Sequence, residues 1–383
     1  MNRKQFNEGA SLQYNKKSGL YKIYRFALIY GMRRALVKAL GRLRVGKITR
    51  FVVSPLSFLR KKNKFISVVG CGQFTYSTSS FFLVQKLGNC IDACFDLNAD
   101  VTNTYAKAYD AIECVKFDEV LERDSTKLVY IASNHASHTP YAIDCIKKGL
   151  DVYIEKPIAV TFEQLEGLRY TYSQSKSKIY VGYNRPFSKA IIELKSKMGD
   201  GPLTLTCSII GHKLDADHWY REPTEGTRIC GNLGHWIDLA IHLIWSKKET
   251  PPTALDIFIA YGDKNNFDDN LSVCFSSDTG DLIVLTMTAR EEPFEGISES
   301  IVFQQNGVFA KIDDFKRAEF QVGPKKIIRK YFPKDVGHEE AILQPFRKKQ
   351  RDLNEIFVST ELMLHITDMV RETKHQSVFK FKG

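Results

Sequence analysis

A chain of 383 residues with 43% apolar and 26% charged side chains is long enough for two globular domains, and no run of 18 apolar residues offers a membrane-spanning helix. The net charge of +11 is uneven: residues 1–64 hold 17 Lys or Arg against one acid, Glu8, so this segment carries +16 and the remaining 319 residues carry −5. That balance excludes a broad nucleic-acid surface on the body, and eight cysteines without a Cys-x-x-Cys pair read as reduced core residues of a cytoplasmic protein rather than a disulfide frame or zinc site.

Residues 1–19 read as irregular and polar. They lack the order of charged start, apolar core and small-residue cleavage site that marks a signal peptide. From Leu20 to about Leu43 the spacing predicts a basic amphipathic helix, with Ile23, Phe26, Ala27, Tyr30, Leu36 and Leu40 interleaved with Arg25, Arg33, Arg34, Lys38 and Arg42. Such a helix either packs on the body or a partner subunit with its basic side solvated, which is the preferred reading, or lies on an anionic membrane through residues 20–62. A second apolar patch, Phe51 to Leu59, is broken by Pro55. Arg33-Arg34 is followed by more cations rather than an apolar run, which argues against twin-arginine export.

Phe65 to Val69 is a short buried strand, followed by Gly70-Cys71-Gly72-Gln73-Phe74-Thr75 and a helical stretch to about Leu87. This is a G-x-G-x-x-T turn. The first glycine permits the tight turn and the second lets backbone approach a pyrophosphate at a helix N-terminus. Cys90 to Phe95 is a second strand, closed by Asp96. An acid there suits a ribose 2′-hydroxyl and repels a 2′-phosphate, which favours NAD over NADP. Helices and strands then alternate through 99–109, 112–115, 117–123, 128–132, 139–149, 151–155, 161–174 and 179–182, as in a doubly wound parallel sheet. The strand Asp151 to Glu155 ends in Glu155-Lys156-Pro157. A lysine at the C-terminal edge of a parallel strand points into the crevice where such sheets bind ligands.

From about Asn184 the pattern changes. A helix over 187–198 and the strand-like LTLTCSIIG lead to a polar, aromatic segment, Asp215 to Arg221. Gly231 to Trp245 reads as a helix. Seven β-rich runs follow (254–261, 270–276, 281–288, 299–304, 308–312, 318–322 and 326–332), with hairpin signals at Asp-Thr-Gly-Asp and Gln-Asn-Gly. Helices return at 338–350 and 354–374. The reading is α/β: an extension over 1–64, a doubly wound parallel Rossmann sheet over 65–184, and an α+β domain over 185–383.

The Gly-x-Gly turn, Glu155-Lys156-Pro157, Gly182-Tyr183-Asn184-Arg185 and the Gly231 to Leu239 helix together resemble the Gfo/Idh/MocA family of nicotinamide-dependent oxidoreductases, which act mostly on sugars, inositols and nucleotide sugars. Asp215 to Trp219, the segment 226–239 and Gly337 to Ile342 resemble a branch found fused behind a zinc alcohol-dehydrogenase-like domain, which is absent here. The resemblance implies a large open antiparallel sheet that forms dimer or tetramer interfaces. It places Gly70, Gly72, Gln73, Phe74 and Asp96 on the cofactor. Ser133, Asn134 and His138 would line ribose and nicotinamide, with Glu155 and Lys156 beside the ring, and Asn184 and Arg185 closing the site.

Hydride transfer from a carbinol carbon needs an acceptor for the hydroxyl proton. His235 is the first choice, with Lys156 holding the reacting oxygen or sharing the proton and Asn232 on the same helical face at i−3. Many family members carry an aspartate four residues before this histidine; here position 231 is glycine. Asp217, His218 and Trp219 suit a sugar ring, and Tyr183 either reaches the substrate or packs. His242 reads as structural, and a metal at His235, Asp238 and His242 is set aside. The function expected is hydride transfer on a sugar or nucleotide sugar in cell-surface polysaccharide synthesis. The alternatives are an NAD-dependent glycosidase and a non-catalytic nucleotide-binding scaffold at a membrane.

Overall fold

The computed structural model describes residues 16–53, 63–247, 251–293 and 296–381. The basic segment forms three helices: α1 (Lys16–Tyr30), α2 (Met32–Arg42) and α3 (Gly46–Val53). The single helix expected over 20–43 is thus divided. Gly31, at φ 90°, breaks it, because few residues other than glycine adopt that conformation cheaply. Residues 54–62, which include most of the second apolar patch, lie outside the described residues.

The first sheet contains β1 (Ile66–Val69), β2 (Ile91–Phe95), β3 (Ile112–Glu113), β4 (Leu128–Ile131), β5 (Asp151–Ile154) and β6 (Ile179–Val181), all parallel, in the order β3-β2-β1-β4-β5-β6. Its central strands are buried along their length because helices cover both faces; the polar exceptions, Ser67 and Asp92, are bonded to Thr126 and to Arg123 and Ser125. α5 (Ala99–Tyr109) follows β2, α7 (His135–Lys147) follows β4 and α8 (Phe162–Ser173) follows β5. After β1 the chain makes a π turn, Thr75–Ser79, and continues as α4 (Ser80–Leu87); α6 (Asp118–Leu121) lies between β3 and β4. The strand order reverses between β1 and β4, the switch point at which open α/β sheets bind ligands.

On one face of this sheet the core includes Val37 of α2 and Val53 of α3, packed with Ile66, Val68, Leu83 and Tyr105. Each valine is almost fully buried, worth roughly 1.5–3 kcal/mol in removed apolar surface. The extension therefore packs on the body, as preferred from sequence, and is part of the core of the nucleotide-binding half.

The second sheet has nine strands, ordered β14-β13-β12-β11-β7-β10-β9-β8-β15. They are β7 (Thr204–Ile210), β8 (Ala254–Tyr261), β9 (Leu271–Ser277), β10 (Leu282–Thr288), β11 (Ser298–Gln305), β12 (Val308–Asp313), β13 (Arg317–Val322), β14 (Lys325–Lys330) and β15 (Gln376–Lys380). Burial alternates along β7, β8 and β10, so one face is covered and the other open. α9 (Lys189–Lys195) precedes β7; α10 (Gly234–Ile244) and α12 (Leu353–Arg371) pack together on the covered side. The sheet is largely antiparallel, as expected, with one parallel pair, β7 with β10, a long-range pairing that no local hairpin signal reveals. The helix expected over 338–350 stops as α11 (His338–Ile342), since Pro345 cannot continue it, and β15 was not foreseen.

Candidate active site

β1 delivers the chain to Gly70 at φ 88°, whose α-carbon lies against the main chain of Ala132 and Ser133; a Cβ there would stand 2.5 Å from them. Only glycine lets the ends of β1 and β4 approach this closely. At Gly72 nothing lies within 4 Å of where a Cβ would stand. The backbone is thus open at the start of a helical run, the geometry that receives a pyrophosphate. Asp96, at the end of β2, accepts from Cys71 N at 2.8 Å and from Asn98 N at 2.9 Å, which braces the turn and holds the carboxylate beside it. The Gln73 amide donates to the Lys38 carbonyl at 3.0 Å, and the Phe74 ring meets His338 edge-on at 5.8 Å. Both side chains brace neighbours, and their main chain faces the turn.

Across the switch point, Lys156 at the end of β5 donates from Nζ to the Gly231 carbonyl at 2.6 Å. Gly231 lies in a second π turn, Ile229–Leu233, which opens α10; His235 is the second residue of α10. Position 231 favours glycine, because a Cβ would stand 2.6 Å from the Tyr220 ring and 2.9 Å from His135 and force these rings to shift. Lys156 and His235 thus converge on one wall. Burial pulls the Lys156 ammonium down to about 8; Glu155 opposes this and Arg185 adds to it. Burial pushes the Glu155 carboxyl up to about 8 against the pull of Lys156. For His235, burial first, then the charges of Arg185 and Lys156 and the nearby His338, hold the imidazole well below its usual value, hence neutral.

Several buried polar atoms at this wall have no hydrogen-bond partner: Glu155 Oε2, Asn184 Oδ1, His235 Nδ1, His338 Nδ1 and Thr75 Oγ1. Stranded groups of this kind cost about 1–3 kcal/mol each unless a ligand meets them. Together with the open cradle at Gly72, they fit a polar dinucleotide and a hydroxylated partner.

The other expected residues divide. Ser133 bonds Ser137 through the two hydroxyls at 2.6 Å, and Asn134 donates to Glu225 Oε1 at 2.5 Å. His138 is buried, with its ring nitrogens 2.9 Å from the Pro157 carbonyl and 3.1 Å from that of Ser133, so it ties the β4 turn to the Lys156 loop. Arg185 forms a buried bidentate pair with Glu299 at 2.7 and 3.0 Å, stacked 3.9 Å over Trp236, and positions rather than faces the cleft. Asn232 accepts from Arg228 Nε at 3.3 Å, within the π turn that precedes α10, whose wider repeat departs from the i−3 spacing of an α-helix. Tyr183 is 1% exposed; its ring packs 6.0 Å from His235 and its hydroxyl 3.6 Å from Met363 Sδ, so it buttresses the imidazole and does not open to substrate. Trp219 is 41% exposed and meets His135 at 4.6 Å, at the rim beside Gly231. His218 accepts from Tyr220 N, and Asp217 is exposed on the same loop. Asp238 is held by Arg351 and His242 by Glu355 at 2.7 Å, away from His235.

Sequence reasoning passed over Glu225, which accepts from Asn134 and Ala136 N and so caps α7 from the second half of the chain. No local pattern marks it. His135, beside Trp219 and Tyr220, and His338, beside Phe74, carry no local signal that sets them apart.

Residues 65–183 match the model described as the oxidoreductase family, NAD-binding Rossmann fold. The chain is 27% identical over 141 residues to the inositol 2-dehydrogenase of Gluconacetobacter diazotrophicus, covering 36% of this chain and 42% of that protein. It is 24% identical over 187 residues to the glucose-6-phosphate 3-dehydrogenase of Bacillus subtilis, covering 47% and 52%. The matched part thus spans about half the length of these curated relatives. Among solved structures, the fold is similar to GenD2 from gentamicin A biosynthesis in complex with NAD, at TM-score 0.68 and 15% identity, covering 84% of this chain and 97% of that one. Residues 65–183 are thus similar to the NAD-binding Rossmann fold of the Gfo/Idh/MocA oxidoreductase family.

Proposed function

We propose that this protein is an NAD-dependent oxidoreductase that moves a hydride between nicotinamide and a hydroxyl or keto carbon of a sugar or nucleotide sugar. The observation that carries the reading is the Lys156 Nζ bond to Gly231, which brings the ammonium to the helix of His235 beside the unpartnered atoms Glu155 Oε2, Asn184 Oδ1 and His338 Nδ1. Asp96 beside the turn supports NAD over NADP. Gly70, Gly72 and the main chain of Gln73 and Phe74 would hold the pyrophosphate; Ser133, Asn134, Glu155 and Asn184 would flank the nicotinamide end. Bound nicotinamide would supply the carbon that takes or gives the hydride.

The chain's own part is proton handling and orientation. From sequence, His235 was the first proton acceptor. With the imidazole held neutral by burial and two cations, we assign the proton to Lys156, whose free-amine fraction is appreciable near neutral pH. His235 then hydrogen-bonds the reacting hydroxyl and aims it. The Gly231 carbonyl orients Lys156 where many relatives use a carboxylate. Asp217, His218 and Trp219 would offer hydroxyl partners and an aromatic plate to the sugar.

Related expectations stay with this reading: a cytoplasmic setting, supported by eight free cysteines; a homodimer or tetramer through the open sheet face, where Phe258, Leu282 and Val378 are exposed; and a place in cell-surface polysaccharide synthesis, where an anionic membrane lies within reach of the extension. The test is NADH formation by the full chain across a panel of inositols, sugars and nucleotide sugars. Turnover that Lys156→Ala abolishes supports the reading. Glycoside cleavage without net NADH would replace it with the hydrolytic alternative, and no dinucleotide binding would overturn both.

A further inference from the structure

The three N-terminal helices bury one side and expose the other. Ala35, Val37, Thr49 and Val53 face the body, whereas Leu36, Leu43, Ile48 and Phe51 stand exposed, Leu43 by 70% and Phe51 by 72%. Of the 24 exposed large apolar side chains among the described residues, nine lie within 21–51. A concentration of this kind on one short segment marks a contact surface, since single exposed apolar residues elsewhere are ordinary. The same segment, 16–53, carries eleven Lys or Arg and no acid. Arg42, Arg44 and Lys47 are exposed among Leu43, Ile48 and Phe51 at the α2–α3 turn.

We infer that the outward face of α2 and α3 docks on an anionic lipid surface, with Leu43, Ile48 and Phe51 entering the headgroup boundary and Arg42, Arg44 and Lys47 meeting lipid phosphates. Charge decides between occupants. A second copy docking by the same face would bring cations against cations, whereas an anionic bilayer offers both apolar depth and negative charge. No described helix is long and apolar enough to cross a membrane, so the helices lie on the surface. They are fastened to the nucleotide-binding half by Gln73 on Lys38 O at 3.0 Å, Arg34 on Thr78 at 3.1 Å, Arg33 on Gln85 at 3.1 Å and the Arg50–Asp110 pair. Docking would therefore hold the catalytic half itself at the membrane. This gives the membrane contact of the proposed function a surface, and it stands apart from the redox chemistry.

The experiment is sedimentation of the full chain with vesicles of phosphatidylcholine alone and of phosphatidylcholine with phosphatidylglycerol, with NADH binding measured on the same preparations. Binding to the anionic vesicles only is expected, weakened by salt, by roughly fivefold for each of Arg42→Gln and Arg44→Gln, and more by Leu43→Ser with Phe51→Ser. Equal recovery on both vesicle types, or binding untouched by these substitutions, overturns the inference. So does a solution dimer that Leu43→Ser dissolves, since a second copy would then be the occupant. NADH binding retained by the surface variants shows that they are folded; its absence in the wild-type chain would count against the redox reading alone.

Discussion

Two sets of buried polar groups lie within a few turns of each other, and they are built in opposite ways. On the side of the nine-stranded sheet, charges are paired: Arg185 with Glu299, Lys334 with Asp314, and Lys247 with Asp281 at 2.7 Å. On the cleft side, Glu155, Asn184, His235 and His338 each leave a buried atom without a partner. Burial is similar, so the difference lies in purpose. Paired groups fix elements of the second half to one another; unpaired ones carry a cost that a ligand would relieve.

That contrast predicts where substitutions act. Glu299→Ala should have the largest effect on stability, roughly 3–5 kcal/mol by urea unfolding, because Arg185 and the Trp236 Nε1 donor would be stranded in the core. A change under about 1 kcal/mol would erase the distinction. Lys156→Ala should do the reverse: kcat falls roughly 10²–10⁴-fold while the melting temperature holds. In the wild type, kcat/KM for oxidation should rise with pH through about 8 as Lys156 loses its proton, and reduction should fall across the same range. Lys156→Ala should flatten both limbs. Gly231→Ala should give the smallest effect, about 1–3 kcal/mol of crowding against Tyr220 and His135 with a partial loss of activity.

Much of this was legible from residues alone. β1, β2, β4 and β5 are short, mostly apolar runs because both faces are covered, and the Gly70–Gly72 turn and Lys156 sit where such strands end. What escaped depends on long-range placement. A helix pattern tells that one side of α2 is apolar, yet Ala35 and Val37 face the core while Leu36 faces out, a division only the partner surface decides. Asn232 was misaligned because a π turn shifts the repeat by a residue. The parallel β7–β10 pairing and the capping of α7 by Glu225 join segments with no local signature. The role proposed for His235 shifts for an electrostatic reason: its type suggests a base, but burial first, and then the charges of Arg185 and Lys156, hold the imidazole well below its usual value and make it a weak one.

The central claim is that the backbone opening at Gly72 receives a dinucleotide whose nicotinamide reaches Lys156. Its most direct measurement is titration of NADH fluorescence with the full chain and with Gly72→Leu, whose side chain would fill the open space above the turn. Saturable binding by the wild type, abolished in the folded Gly72→Leu protein, is the result expected. NADH binding that survives the leucine unchanged would contradict the account.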